Sequence, residues 1–136
     1  MTELQFRPIN GRLDEIVEQL MQTAEISDHP SLSYTIRLVS EEIIVNIIHY
    51  AYAAGADTYL ILRTYDEEEM VCIEFRDGGK PFNPLDKELP DVTLPPEQRD
   101  IGGLGIFLVC EMMDKVEYTY TEGENRLVIK KKYIEA

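Results

Sequence analysis

The chain has 136 residues, 44% of them hydrophobic, which suits one globular domain with a substantial buried core rather than two independent domains. A formal net charge of −13, from 26 Asp and Glu against 13 Lys and Arg, argues against direct binding to nucleic acid or anionic membranes, because phosphate contacts need clustered positive charge. The sequence shows neither a signal segment nor an apolar run near the roughly 20 residues of a membrane span, so we expect a single cytoplasmic domain over residues 1–136.

The first part of the chain predicts one strand and two helices. Residues 4–9 alternate apolar and polar side chains before the Asn10-Gly11 turn signal, which predicts a short strand. Residues 12–24 carry apolar side chains at helical spacing and predict an amphipathic helix. Residues 31–54 predict a longer second helix, with Ser31 as its N-terminal cap and Gly55 as its stop signal.

The second part predicts two hairpins separated by a long loop and a helix. Residues 56–65 and 70–76 are rich in β-forming side chains and are joined by four acidic residues, which indicates an antiparallel hairpin. Residues 77–99 lose periodicity and contain several Pro and Gly, as is typical of a lid or binding loop. Residues 102–113 predict an apolar helix. Residues 116–121 and 127–133 predict the two strands of the last hairpin, with a turn at Gly123 between them. Cys72 and Cys110 lie in apolar runs, which favours reduced core residues, although the sequence leaves a bridge open.

This order of elements lacks the regular β-α alternation of a doubly wound parallel sheet. It predicts an α/β fold of the two-layer sandwich type, with a mixed, mostly antiparallel sheet and three helices on one face.

The second helix carries a polar stripe within an apolar surface. At about 100° per residue, Glu42, Asn46 and His49 fall within roughly 60° of one another, and Ile side chains flank them. A buried carboxylate or amide is costly unless it is hydrogen-bonded, paired or bound to a metal, so the stripe predicts a polar pocket in the core. The alternative is an Ile-rich helix whose Glu42 and Asn46 simply face solvent.

Two further polar features follow along the chain. Asp77 continues the inward face of the strand that contains Phe75, and Gly78 and Gly79 behind it would let a flat ligand approach the backbone. A plain Asp-Gly turn would look the same. Residues 102–105, Gly-Gly-Leu-Gly, open directly into an apolar helix, where free amides bind phosphate, although glycines also permit close helix packing.

Taken together, these features predict a site for a purine nucleotide with Mg²⁺. The Asn46 amide offers an oxygen to a hard cation, and Gly103 and Gly105 offer backbone amides to phosphates. Glu42 is placed to orient or deprotonate a nucleophile.

The three features also resemble the N, G1 and G2 boxes of the GHKL, or Bergerat-fold, ATPases. The matching segments, in the same order and at similar spacing, are Glu42 with Asn46, residues 77–82 (Asp-Gly-Gly-Lys-Pro-Phe) and residues 102–105. Within that superfamily, the short chain and residues 105–114 look most like the small anti-sigma-factor serine/threonine kinases.

The resemblance implies a role for each matching residue. Glu42 would be the catalytic base, Asn46 the Mg²⁺ ligand, and Asp77 the acceptor for the adenine amino group. Gly79 would pack beside the adenine, Phe82 would shape the nucleotide-facing side of the lid, and Gly103 with Gly105 would bind the phosphates. His49 lies on the polar stripe one turn beyond Asn46, a position that favours helix packing or a hydrogen bond to a neighbouring site residue over catalysis.

The resemblance further implies a kinase that binds ATP with Mg²⁺ and phosphorylates a small anti-anti-sigma-like protein, that regulates a sigma factor, and that forms a homodimer. Two other hypotheses remain open at this point. A nucleotide-gated binding module would keep the pocket without transferring phosphate, although binding alone does not require Glu42. A histidine kinase would share the boxes but would need its phosphoacceptor helices on another polypeptide.

Overall fold

The computed structural model describes residues 1–7, 12–48, 59–86 and 103–133. Within them lie five strands and four α-helices. In chain order these are β1 (Thr2–Phe6), α1 (Leu13–Met21), α2 (Ala24–Ser27), α3 (Ser33–Asn46), β2 (Leu60–Glu67), β3 (Met70–Asp77), α4 (Gly103–Met112), β4 (Lys115–Thr121) and β5 (Glu124–Lys132).

The five strands form one sheet in the order β1-β2-β3-β5-β4, and all four neighbouring pairs are antiparallel. The central strand is therefore β3, and both of its neighbours pair with its full length. The predicted α/β sandwich is confirmed, with one short helix, α2, in addition to the three long ones.

The core lies between the helices and one face of the sheet. Register places Leu62 opposite Phe75 and Phe75 opposite Leu127, so these side chains share that face. They join a single buried cluster with Ile16 of α1 and Ile43 of α3. Because side chains alternate along a strand, Asp77 and its register partner Asn125 fall on the same inward face, at the end of the sheet.

The start of α3 differs from the sequence prediction. A 3₁₀ turn over Pro30–Leu32 precedes the helix, Leu32 occupies the N-cap position, and no side chain caps the first turn. The prediction that Ser31 caps the helix is therefore wrong. Ser33 instead donates a hydrogen bond from its hydroxyl to the carbonyl oxygen of Pro30, at 2.9 Å. The remainder of the predicted helix beyond Ile48 lies outside the described residues.

Both hairpins close through two-residue turns with positive φ at both positions. The values are 51° and 64° for Glu68 and Glu69 between β2 and β3, and 54° and 76° for Glu122 and Gly123 between β4 and β5. This is the backbone of a type I′ turn, whose twist matches that of the flanking strands. Three glutamates thus adopt a conformation that L side chains rarely occupy.

The opposite face of the sheet carries long charged side chains. Arg76 forms ion pairs with Glu124 at 2.8 Å and with Glu74 at 3.9 Å. Cys72 lies on this face and is nevertheless fully buried, and burial raises the pKa of its thiol to about 11. Cys110 is exposed on α4, so its predicted place in the core is wrong, and both thiols are free.

Among the described residues, no helix is both long and apolar enough to span a bilayer.

Candidate functional site

A pocket opens where α3, α4 and the end of the sheet meet. Most of its lining is apolar, and three polar side chains project into it from three different elements, as in many sites for small ligands. The lining residues are Ile43, Asn46, Ile47, Phe75, Asp77, Phe82, Pro84, Ile106, Tyr118, Asn125 and Leu127. Three of the predicted site residues, Asn46, Asp77 and Phe82, are thus brought together.

Asn46 is the last residue of α3 and is 3% exposed, so it does not face solvent as the alternative interpretation required. Its amide nitrogen has no hydrogen-bond partner in the described part of the chain. An unpartnered buried donor costs about 1–3 kcal/mol, which a folded protein rarely tolerates without a function. The Asn46 amide is therefore available to a ligand in the pocket.

Asp77 ends β3 and is 2% exposed. Its Oδ1 accepts a hydrogen bond from the backbone nitrogen of Gly79 and another from Nδ2 of Asn125, each at 3.0 Å. Burial raises the pKa of the Asp77 carboxyl, and these two hydrogen bonds offset part of that increase. Both hydrogen bonds that the Asp77 carboxylate makes within the described part of the chain end on Oδ1, so Oδ2 remains to accept one from a ligand.

Asn125 is a pocket residue that the sequence analysis missed. Its Nδ2 donates to Oδ1 of Asp77 and, at 2.8 Å, to the carbonyl oxygen of Lys80. Its Oδ1 accepts from the backbone nitrogen of Phe82 at 2.9 Å and from the hydroxyl of Tyr118. All four of its usual hydrogen-bonding positions are filled by the protein. Asn125 therefore fixes both Asp77 and the chain that leads into the predicted lid.

A signal for Asn125 does exist in the sequence. It stands two residues before Leu127 and four before Ile129, so it is the polar member of an inward-facing row, as Asp77 is on β3. The apolar pattern predicts a strand from Leu127, whereas β5 begins at Glu124, so Asn125 belongs to the strand and not to the turn.

On the other side of the sheet, Glu124 is held by three neighbours. The Tyr59 hydroxyl donates to it at 2.6 Å, and Arg76 and Arg126 donate at 2.8 and 3.2 Å. These hydrogen bonds, that of Tyr59 first, lower the pKa of Glu124 to about 2. A Cβ at Gly78 would lie 2.9 Å from the Tyr59 ring, so Gly78 has no room for a side chain.

Glu42 does not line the pocket but lies at its edge, half-buried on α3, next to Gly105 in the first turn of α4. A Cβ built on Gly105 would lie 2.8 Å from Cδ and 3.3 Å from Cγ of Glu42, and closer still to Oε2. Gly103 begins α4. The structure therefore brings the predicted base together with the predicted phosphate-binding turn. His49 and Arg99, the last residue of the predicted lid, lie outside the described residues, and Lys80 is exposed.

The residues present are compatible with Mg²⁺. The described residues contain no group of three or more His, Cys, Asp or Glu that could hold a metal ion by itself. Mg²⁺ bound with a nucleotide usually takes only one or two protein ligands, the remainder being phosphate oxygens and water. The buried Asn46 amide suits that role, because a half-turn about its terminal bond exchanges its nitrogen and oxygen.

Three protein kinases are similar to this chain in sequence. It is 24% identical over 98 residues to the serine/threonine-protein kinase BtrW of Bordetella bronchiseptica, which covers 72% of this chain and 69% of that protein. It is 28% and 27% identical over 103 residues to the serine-protein kinases RsbW of Listeria monocytogenes and Listeria innocua, in each case covering 73% of this chain. The chain spans 64% of the length of both RsbW proteins.

A solved structure supports the fold. The histidine kinase domain of the blue-light activated histidine kinase EL346 of Erythrobacter litoralis superposes with a TM-score of 0.58 at 12% identity, over 89% of this chain and 59% of that one. The profile of the histidine kinase-like ATPase domain matches residues 9–131, nearly the whole chain. The predicted GHKL membership is therefore confirmed, and the chain belongs to the family of histidine kinase-like ATPase domains.

Proposed function

We propose that this chain is a serine/threonine protein kinase that uses ATP with Mg²⁺ to phosphorylate a small protein of the anti-anti-sigma type. The observation that carries the proposal is the position of Glu42 beside Gly105, at the turn of α4 predicted to bind phosphates. A module that only binds nucleotide needs the pocket but needs no carboxylate at this place. The similar BtrW and RsbW proteins are named serine/threonine- and serine-protein kinases, which supports the same reaction.

In this mechanism the adenine lies in the apolar pocket and its amino group donates a hydrogen bond to Oδ2 of Asp77. Asn125 holds Asp77 in place through Oδ1. Phe82 forms one wall of the pocket. The backbone nitrogen of Gly79 donates a hydrogen bond to Asp77, which holds Gly79 beside the proposed adenine position. With the base in this orientation, an ionised Asp77 accepts from the adenine amino group, whereas guanine would place its carbonyl oxygen against the carboxylate, so the site favours adenine.

The phosphates extend toward α4, where the amides of Gly103 and Gly105 donate to their oxygens. Bound Mg²⁺ would neutralise charge that develops on the phosphates, with Asn46 as its protein ligand. Glu42 takes the proton of the acceptor hydroxyl as the hydroxyl oxygen bonds to the γ-phosphorus. The bond from the γ-phosphorus to the β,γ-bridging oxygen breaks, and ADP leaves with that oxygen.

The remaining parts of the proposal concern partners and location. We propose that phosphorylation of the substrate protein regulates the availability of a sigma factor, that the kinase is a homodimer and that it is cytoplasmic. The similar RsbW and BtrW proteins are named protein kinases, which supports a protein as the substrate. The negative charge of the chain, −13, supports protein partners over nucleic acid.

The experiment incubates the protein with γ-labelled ATP, Mg²⁺ and a lysate of its own host, in parallel with Glu42→Ala and Glu42→Gln. We expect the wild type to label one small protein with an acid-stable phosphate on serine or threonine. Both variants should lose the label while their affinity for ADP stays within about threefold, because Glu42 acts on the nucleophile and not on the nucleotide.

Each other outcome has a distinct meaning. A label that is lost in acid would indicate phosphohistidine and a histidine kinase. ADP binding without any labelled protein would overturn the kinase proposal and favour a nucleotide-gated binding module. Absence of ADP binding, in the wild type and in Asn46→Ala alike, would overturn the assignment of the pocket.

A further inference from the structure

Gly105 lies in the first turn of α4, is buried, and faces α3 at the level of Glu42. The Glu42 side chain fills the volume in which any other residue would place its Cβ, since Cδ is 2.8 Å from that position and Cγ is 3.3 Å from it. Contacts below 3.0 Å essentially do not occur for real Cβ atoms. The present position of the Glu42 carboxylate therefore depends on the absence of a side chain at residue 105.

The usual reasons for a glycine do not account for this position. Residue 105 is helical, so no positive φ requires glycine, and alanine would favour the helix by about 1 kcal/mol. Alanine would also keep the backbone N–H that a phosphate needs. Alanine would, however, prevent the close approach of Glu42, because the added methyl group would overlap the position of the Glu42 carboxylate.

From this geometry we infer that Gly105 is a positioning residue for Glu42. It admits the carboxylate to the first turn of α4, and so holds the base at the place where the terminal phosphate of a bound nucleotide is expected. This inference rests on the proposed function, because it takes Glu42 to be the base. The glycine-rich turn then has two separate roles. The backbone amides at residues 103 and 105 bind phosphate, and the absence of a side chain at residue 105 leaves room for Glu42.

The inference predicts an unusual variant. The group that Gly105→Ala would displace is the far end of a flexible side chain, so the fold can accommodate it by moving Glu42. We expect Gly105→Ala to be at least as thermally stable as the wild type and to bind ADP within about threefold of it, with a similar KM for ATP. Its kcat should fall by about 100-fold, because a displacement of the base near 1 Å has effects of that size.

The experiment compares wild type, Gly105→Ala, Glu42→Ala and the double variant for thermal stability, ADP affinity and steady-state kinetics. In the absence of the Glu42 side chain the Gly105→Ala methyl group meets no obstacle. The gain in stability from Gly105→Ala should therefore be larger in the Glu42→Ala background, and kcat of the double variant should equal that of Glu42→Ala. Cys110→Ala, on the exposed side of the same helix, is the matched control and should change none of these quantities.

Three results would overturn the inference. The first is wild-type kcat in Gly105→Ala while Glu42→Ala is inactive. The second is a loss of ADP affinity in Gly105→Ala. The third is an equal change in stability when Gly105→Ala is made in the wild type and in Glu42→Ala. The first would leave the proposed function intact. Full transfer by Glu42→Ala would instead overturn the role of Glu42 as the base, and with it this inference, while the kinase activity itself would stand. If the single variant Gly105→Ala does not fold whereas the double variant does, the conflict between the methyl group and Glu42 is supported directly.

Discussion

Asn125 and Asp77 are register partners on adjacent antiparallel strands, and the amide of Asn125 donates a hydrogen bond to the buried carboxylate of Asp77 at 3.0 Å. The same amide group bonds the backbone at Lys80 and Phe82. One side chain on the last strand therefore fixes the predicted adenine acceptor and the first residues of the predicted lid together.

We predict that Asn125→Ala weakens ADP binding by about 10- to 100-fold, since a hydrogen bond to a charged group contributes about 1.5–3 kcal/mol. Asn125→Asp should weaken it further, because a second carboxylate beside Asp77 opposes its ionisation. Titration calorimetry measures both affinities. Thr119→Ala, an exposed position on the neighbouring strand β4, serves as the control. Wild-type affinity in Asn125→Ala would show that Asp77 is positioned without Asn125.

Asp77 should lower the stability of the nucleotide-free protein at neutral pH. Burial raises its folded pKa above the ordinary value of 3.8, so the folded protein binds more protons than the unfolded chain between those two values. The contribution of Asp77 to stability therefore declines as pH rises through that window. Asp77→Asn should have a higher free energy of unfolding at pH 7, with about 100-fold weaker ADP binding. Urea denaturation at pH 4, 5.5 and 7 measures the difference, and equal differences at all three would contradict this account.

Glu124 should make stability depend on pH in the opposite direction. Its folded pKa of about 2 lies below the ordinary 4.5, so its stabilising contribution is present above pH 4.5 and is lost as pH falls toward 2. We expect Glu124→Gln to lower the free energy of unfolding by about 2 kcal/mol at pH 7 and by much less near pH 2.5. Glu122, whose side chain is 82% exposed, pairs loosely with Arg126, so Glu122→Gln should change the free energy of unfolding by less than about 0.5 kcal/mol.

The β2–β3 turn offers a stabilising substitution. Glu68 and Glu69 both have positive φ, which Asn and Gly adopt at much lower cost in type I′ turns. The double substitution Glu68→Asn with Glu69→Gly should raise the free energy of unfolding by about 1–2 kcal/mol, since each left-handed residue costs roughly that order. Chemical denaturation tests it, and ADP affinity should not change because the turn is at the far end of the sheet from the pocket. A neutral or destabilising result would show that the turn conformation costs the glutamates little.

The site residues that the sequence predicts are polar residues that interrupt a periodic pattern of apolar ones. Asp77 continues the inward row of β3, and Asn46 lies on the buried side of α3, so in both cases the position alone required a partner. The fold class followed from the order of helices and hairpins, which has few alternatives once the two tight turns are recognised.

Other features depend on contacts that a linear pattern does not contain. The sequence pattern places Asn125 in a turn, because the start of β5 is set by pairing with β3 and β4 and not by its own composition. Cys110 was assigned to the core because α4 is apolar on nearly every side, which gives no period to distinguish its exposed face. The approach of Glu42 to Gly105 joins residues far apart in sequence.

The two neighbouring residues Glu124 and Asn125 are anchored on opposite sides of β5, one by Tyr59, Arg76 and Arg126 and the other by Asp77. A slip of β5 by one position against β3 would turn Leu127 and Ile129 out of the core, and in one direction it would set the carboxylate of Glu124 against that of Asp77. Misaligned pairing is thus penalised twice, by lost burial and by repulsion between like charges. The buried polar and charged groups that form the pocket at the end of this sheet therefore also restrict its strands to a single register.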